Sequence, residues 1–151
     1  MAKQEIPTVL SPELFEHLQG EQLVLLGTVD VETKAPSVNA ISWVKSLSKE
    51  KIRFTVTNNS RIVTNIKDNP NVVLTVVGLE TVYSINGRAN ILQDTMEGVP
   101  LKLAKIEVEI DHVFESMFWG AKIVQEPVYE KTYNEKKAKE LDVQVYDALM
   151  K

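Results

Sequence analysis

The stretch Ile52-Arg53-Phe54-Thr55-Val56-Thr57-Asn58-Asn59-Ser60-Arg61-Ile62-Val63-Thr64-Asn65-Ile66-Lys67-Asp68-Asn69-Pro70-Asn71-Val72-Val73-Leu74-Thr75-Val76-Val77 holds three elements and two breaks. β-Branched and aromatic residues over Ile52–Thr57 read as a strand. The polar run Asn58-Asn59-Ser60 ends it. Ile62, Val63 and Ile66 then fall at helical spacing within Arg61–Asp68. Asn69-Pro70 closes this short helix, because the residue before a proline is pushed out of the α region. Val72–Val77 reads as a further strand, buried on both faces.

Upstream, Ser11 is placed to cap a helix, and Pro12 sits where its missing N–H costs nothing. Leu14, Phe15 and Leu18 share one face of that helix, and Gly20 ends it. Leu23–Val29 is a nearly continuous apolar strand, followed by the turn-rich Asp30–Pro36. Ser37–Val44 alternates as one strand, with Val38, Ala40, Ser42 and Val44 on one side and Asn39, Ile41 and Trp43 on the other. Ser48–Lys51 is a turn.

Downstream, Asn86-Gly87 within Thr81–Leu92 has two readings. It is either the turn of a two-residue hairpin or a bulge in one long strand, with glycine accommodating φ > 0. Leu103–Phe114 is the clearest strand. Ile106, Val108 and Ile110 point inward, whereas Lys105, Glu107, Glu109 and Asp111 face water. His112 falls in the inward register. After Phe118-Trp119-Gly120 the chain is irregular through Pro127. A capping box at Thr132-Tyr133-Asn134-Glu135 then opens an amphipathic helix through Ala138, Leu141, Val145 and Leu149. About six or seven strands with three short helices indicate a mainly β, antiparallel barrel with helices at its rim. No linker or repeat divides the chain, so residues 1–151 are expected to form one domain.

Composition narrows the chemistry. The 151 residues carry 17 Lys+Arg against 21 Asp+Glu, a formal charge of −4 that gives no electrostatic reason to expect nucleic acid or an anionic membrane. With no cysteine, disulfides, thiol catalysis, iron–sulfur clusters and Cys-based zinc sites are excluded. Val72–Leu79, the longest apolar run, is too short to span a bilayer. The start Met-Ala-Lys-Gln-Glu lacks a secretory apolar region. A soluble, cytoplasmic protein is the expectation. Neither histidine stands in a His-x-His or His-Glu-x-x-His pattern, and Gly-x-Ser-x-Gly and phosphate-loop motifs are absent. His112 reads better as a core or interface residue than as a base. No catalytic residue can be assigned, and a bound cofactor would have to bring any reactivity.

Thr57–Arg61 could hold one. A helix start presents unpaired N–H groups and the positive end of its dipole. Ser60 adds a hydroxyl, and Arg61 adds a planar donor fork suited to phosphate. The plainer reading is that Ser60 only caps the helix and Arg61 is solvated.

In order and spacing, Ser60-Arg61, Asn69-Pro70, Asn71–Val77 and Tyr83-Ser84-Ile85-Asn86-Gly87-Arg88-Ala89 resemble the pyridoxamine 5′-phosphate oxidase-like flavoproteins. The resemblance covers about residues 10 to 115, and the rest is similar to the tail of small bacillus-type members. It implies an FMN-binding split β-barrel, with FMN in a groove between the subunits of a homodimer. Carried over by position, Ser60 and Arg61 would hold the phosphate. Ala40, Ile41, Ser42, Trp43 and Lys45 would line the flavin, and Thr55, Val56 and Thr57 would meet the ribityl chain or phosphate. Trp43 is a flavin wall or an ordinary barrel aromatic. Trp119 is core cover or part of a partner interface, or it touches flavin from the second subunit.

The chain departs from the family pattern. Ile62 stands where oxidases have a lysine, Ala40 replaces an arginine, and Val82 roughly replaces a glutamine. Nothing after Trp119 matches the substrate-binding Arg-x-His, which argues against oxidation of pyridoxamine phosphate. Micromolar binding needs about 8 kcal/mol, more than one helix end and one arginine supply, so ring burial between two subunits must provide the remainder. The implied activity is FMN-dependent redox chemistry on a small molecule. The alternatives are a non-catalytic flavin carrier or sensor, a haem or deazaflavin F420 site with His112 as haem ligand, and a structural dimer with an empty groove.

Overall fold

The computed structural model describes residues 5–151; residues 1–4, read above as part of a non-secretory start, lie outside the described residues. Ser11 caps α1 (Pro12–His17), its hydroxyl accepting the Leu14 N–H, as its position before Pro12 predicts. β1 (Val24–Val29), β2 (Pro36–Ile41), β3 (Val44–Ser46) and β4 (Lys51–Thr57) follow. α2 (Arg61–Asp68) matches its sequence limits, with Ser60 as N-cap. Next come β5 (Asn71–Gly78), β6 (Thr81–Gln93), β7 (Leu103–Glu115) and α3 (Glu135–Met150).

All pairings are antiparallel, in the order β2-β1-β5-β6-β7-β4-β3. Only Ser42 and Trp43 lie between β2 and β3, yet these strands are the two edges of the sheet. Laid flat, seven strands would hold those edges about 29 Å apart. The link between Ile41 and Val44 reaches roughly 10 Å. The sheet must therefore curl until its edges nearly meet, which makes a barrel left open along one seam. The fold is thus the expected mainly β split barrel. The continuous strand expected over Ser37–Val44 is broken at that seam: Val44 is buried, whereas Val38, nominally on the same face, is 64% exposed.

The barrel core joins Leu26, Leu74, Ile85, Phe54, Ile106 and Val108 to α1 through Leu14 and Leu18, and to α2 through Ile62, Val63 and Ile66. Each buried aliphatic side chain contributes about 1.5–3 kcal/mol, so the three on α2 fix that helix firmly. Asn65 adds a polar tie: its Nδ2 donates to Thr28 Oγ1 at 3.0 Å, and its Oδ1 accepts the Val31 N–H at 2.9 Å. On β5 only alternate residues are fully buried, so that strand has one core face, not the two expected.

Asn86-Gly87 is no hairpin turn. β6 runs straight through it, and the register against β7 shifts there, from Asn86↔His112 to Gly87↔Ile110. The unmatched residue is Asp111, on the partner strand. Gly87 does not adopt positive φ. It is needed for close approach, because a Cβ there would lie 2.4 Å from the Glu109 carbonyl oxygen. The inserted residue reverses the alternation beyond it, so Val113 is buried and His112 is exposed, contrary to the inward register expected.

Lys105 and Glu107 are also not where alternation places them. Both are buried, at 5% and 9% exposure. α3 covers the outer face of β4 and β7, packing Val145, Ala148 and Leu149 on Leu103 and Met96. Arg53 joins the layers, its Nε 3.1 Å from Glu107 Oε1 and its Nη1 donating to the Leu149 carbonyl at 3.1 Å. Burial, with the positive charges of Arg53 and Lys151 nearby, pushes the Lys105 ammonium below its ordinary range. α3 starts two residues later than the capping box predicts: Asn134 is the N-cap, its side chain accepting the Lys137 N–H.

Candidate functional site

The seam of the barrel borders a cavity. Where β2 gives way to β3, the backbone has left β1 and is held by other means. The Thr55 N–H donates to the Trp43 carbonyl at 3.1 Å. Tyr146 of α3 donates its hydroxyl to the Ser42 carbonyl at 2.9 Å. Trp43 Nε1 donates to Asp142 Oδ1 at 2.8 Å. The indole is thus pinned by α3 and also packs against the small cluster beneath that helix.

Beside this link lies a solvent-connected cavity of about 440 Å³, lined by Asn39 to Trp43, Thr55 to Thr57, Ser60 and Ile62, with Lys131 and Tyr133. That volume lies within the roughly 300–1,000 Å³ of small-molecule sites. The lining supplies apolar surface from Ile41, Val56 and Ile62, hydroxyls from Ser42, Thr55, Thr57 and Ser60, and one cation. Thr55 is partly committed, since its hydroxyl donates to the Ala104 carbonyl.

Ala40, Ile41, Ser42, Trp43, Thr55, Val56, Thr57 and Ser60 therefore gather on one cavity, as expected of residues lining one ligand. Three others do not join them. Lys45 donates to the Gln19 carbonyl and lies 4.7 Å from the Tyr146 ring centre. Trp119 is 97% exposed, away from this lining, with Phe118 beside it 71% exposed. Arg61 turns to the other side of its helix start. Its Nη2 donates to Asp30 Oδ2 at 2.9 Å, its Nε bonds Asp30 Oδ1, and its Nη1 reaches Glu32 at 3.4 Å.

That fork sets the Asp30 carboxyl. The Arg61 guanidinium first, then the Thr33 and Glu32 N–H groups, hold it well below the usual carboxylate range. The folded carboxyl is thus more acidic than the unfolded one. Its stabilising contribution is full above the unfolded value, about 4, and is lost as pH falls below that value. Denaturant midpoints measured between roughly pH 4 and pH 2 should fall less steeply in Asp30→Asn than in the parent. Parallel curves would contradict this assignment.

Lys131 and Tyr133 were not legible as site residues, because the segment before α3 has no hydrophobic period to place it. Lys131 Nζ lies 2.8 Å from Glu21 Oε1 and 3.7 Å from Asp142 Oδ2. Bonding to Lys131 draws the Glu21 carboxyl below its ordinary value. Burial, with the negative charges of Glu21 and Asp142, raises the neighbouring Tyr146 hydroxyl well above its own.

A second groove of about 590 Å³ crosses the outer face of the sheet, lined by Gly27, Val38, Val73, Gly87, Asp111 and His112 among others. Among the described residues no cluster of three or more His, Asp or Glu side chains could hold a metal. No helix there is long and apolar enough to cross a membrane.

Comparison with solved structures gives the same architecture at low identity. A Lactobacillus delbrueckii protein named for pyridoxamine 5′-phosphate oxidase superposes with a TM-score of 0.61 at 20% identity, over 72% of this chain and 95% of that one. A protein described as F420 reductase gives 0.58 at 24%, over 69% and 98%. HutZ, described as the haem storage protein of Vibrio cholerae, gives 0.53 at 14%, over 71% and 94%. No protein of curated function matches the sequence. The pyridoxamine 5′-phosphate oxidase family model matches residues 10–112, more than half of the chain and the whole barrel through the bulge. The chain belongs to the pyridoxamine 5′-phosphate oxidase family.

Proposed function

We propose that this protein binds FMN in the seam cavity and, as a homodimer, serves as a flavin-dependent oxidoreductase on a small molecule in the cytoplasm. One observation carries this reading. Eight residues that the family resemblance assigns to flavin, drawn from β2, the β2–β3 link, β4 and the α2 cap, line a single cavity. The residues present fit such a ligand. Ile41, Val56 and Ile62 offer apolar surface to the ring, the hydroxyls of Thr57 and Ser60 suit the ribityl chain and phosphate, and Lys131 balances charge. The cavity opens to solvent, so burial of the ring requires a second wall. A second copy of the chain supplies it in the dimer, and a mass of two chains in solution is expected. Bound flavin would bring electron-transfer chemistry, while the protein contributes position and a partly dry wall.

A non-catalytic carrier is the second reading. It is favoured by a lining with neither carboxylate nor histidine among the described residues, which leaves no obvious proton donor or acceptor beyond Lys131 and Tyr133. Haem has a weaker case, resting on the exposed His112 in the outer groove and the likeness of fold to HutZ.

FMN at about 100 times its dissociation constant should raise the melting temperature by about 5–10 °C. The purified protein or its FMN mixture should show flavin absorption, and NADH or NADPH should bleach it only if the protein is an enzyme. A colourless protein with no shift on adding FMN would contradict both flavin readings.

A further inference from the structure

We propose that Lys131, from the segment leading into α3, is the cation that reads the phosphate of the bound mononucleotide, in place of Arg61; this deepens the FMN reading above and rests on it. Two observations meet here. Arg61 has its fork closed on Asp30, with Glu32 as a third contact, and it is absent from the cavity lining. Lys131 is the only formally charged residue among the described residues of that lining, which it shares with Thr57 and Ser60.

In oxidised FMN the phosphate carries the formal charge and the ring is neutral, so a lone cation in the cavity acts on the phosphate first. Lys131 is built into its place. Its side chain is 23% exposed, it pairs with Glu21 at 2.8 Å, and it lies 5.6 Å from the Tyr129 ring centre. One of its three ammonium donors goes to Glu21, and Asp142 at 3.7 Å is beyond hydrogen-bond length. Donors therefore remain for a ligand. Glu21 and Asp142 also lower the local potential, which moderates affinity and suits an exchangeable ligand. Residue 131 lies outside the 10–112 family match, so this contact belongs to the chain's own tail.

Riboflavin, which lacks only the phosphate, is the probe. Flavin-fluorescence titrations would give dissociation constants for FMN and riboflavin with the parent, Lys131→Gln, Lys131→Arg and Arg61→Gln, and melting curves would confirm that each variant is folded. Lys131→Gln should weaken FMN about tenfold or more while leaving riboflavin unchanged. Lys131→Arg should restore the preference, and Arg61→Gln should keep it while losing thermal stability. If Lys131→Gln retains the parent's preference, or Arg61→Gln abolishes it, the assignment to Lys131 is overturned and the FMN site stands. If the parent binds neither flavin, both fall.

Discussion

Truncating Phe54 to alanine should remove about 3–5 kcal/mol of folding stability, a large share of the 5–15 kcal/mol typical of such domains. Phe54 is fully buried at the middle of β4, opposite Ile106 of β7 and Val44 of β3. It therefore stands behind the seam, where the curled sheet has no hydrogen-bonded neighbour beyond β3 and must be held by side chains. The cavity left by the ring cannot be refilled by β3, which is only three residues long. Urea midpoints of parent and variant measure the loss. A change below about 1 kcal/mol would mean that the barrel collapses around the gap, contrary to a tightly packed core.

Removing the Glu107 carboxylate is the second large effect. Glu107→Ala should cost about 3–5 kcal/mol, because it strands a charge beneath α3. The Glu107 side chain is 11% exposed and meets Arg53 at 3.1 Å and Lys51 at 3.7 Å. Without it, Arg53 keeps only the Leu149 carbonyl. Arg53→Met combined with Glu107→Leu removes both charges and keeps the volume. That pair of changes should come close to neutral, since a buried ion pair contributes little over a well-packed apolar pair. Thermal unfolding of the single and double variants decides the point. Equal loss in both would show that Arg53 holds α3 in place by itself.

What was legible in the sequence was local. Ser11 and Ser60 as helix caps, the span of α2 and its stop at Asn69-Pro70 follow from neighbouring residues, and the structure has them there. The barrel followed from the count of strands and short turns. Its seam did not, because Ser42-Trp43 reads as a continuing alternation until the two edges of the sheet are known.

The misplaced side chains share a cause in partners far along the chain. Lys105 and Glu107 alternate as solvated charges do, and only the docking of α3, some forty residues later, buries them. Counting twos along β7 turns His112 inward. One unmatched residue, Asp111, inverted the count, and the closeness of Gly87 to the Glu109 carbonyl marks the spot on the neighbouring strand.

The site divides the same way. Family position points to residues of β2, β4 and the α2 cap, and they converge on one cavity. Arg61 fitted the phosphate role by residue type, but Asp30, at the end of β1, holds its guanidinium. A carboxylate directly after an apolar strand carries no sequence mark of that pairing. The cation found instead, Lys131, comes from an irregular tail with no pattern to announce it.

In the proposed complex FMN occupies the seam between β2 and β4. Titration of FMN into ¹⁵N-labelled protein, followed amide by amide, tests it most directly. The largest shifts are expected at Ala40 to Trp43, Thr55 to Thr57 and Ser60, with Lys131 and Tyr133 moving at the same FMN concentrations. Shifts centred instead on Gly27, Val73 and His112 in the outer groove, or none at all, would contradict it.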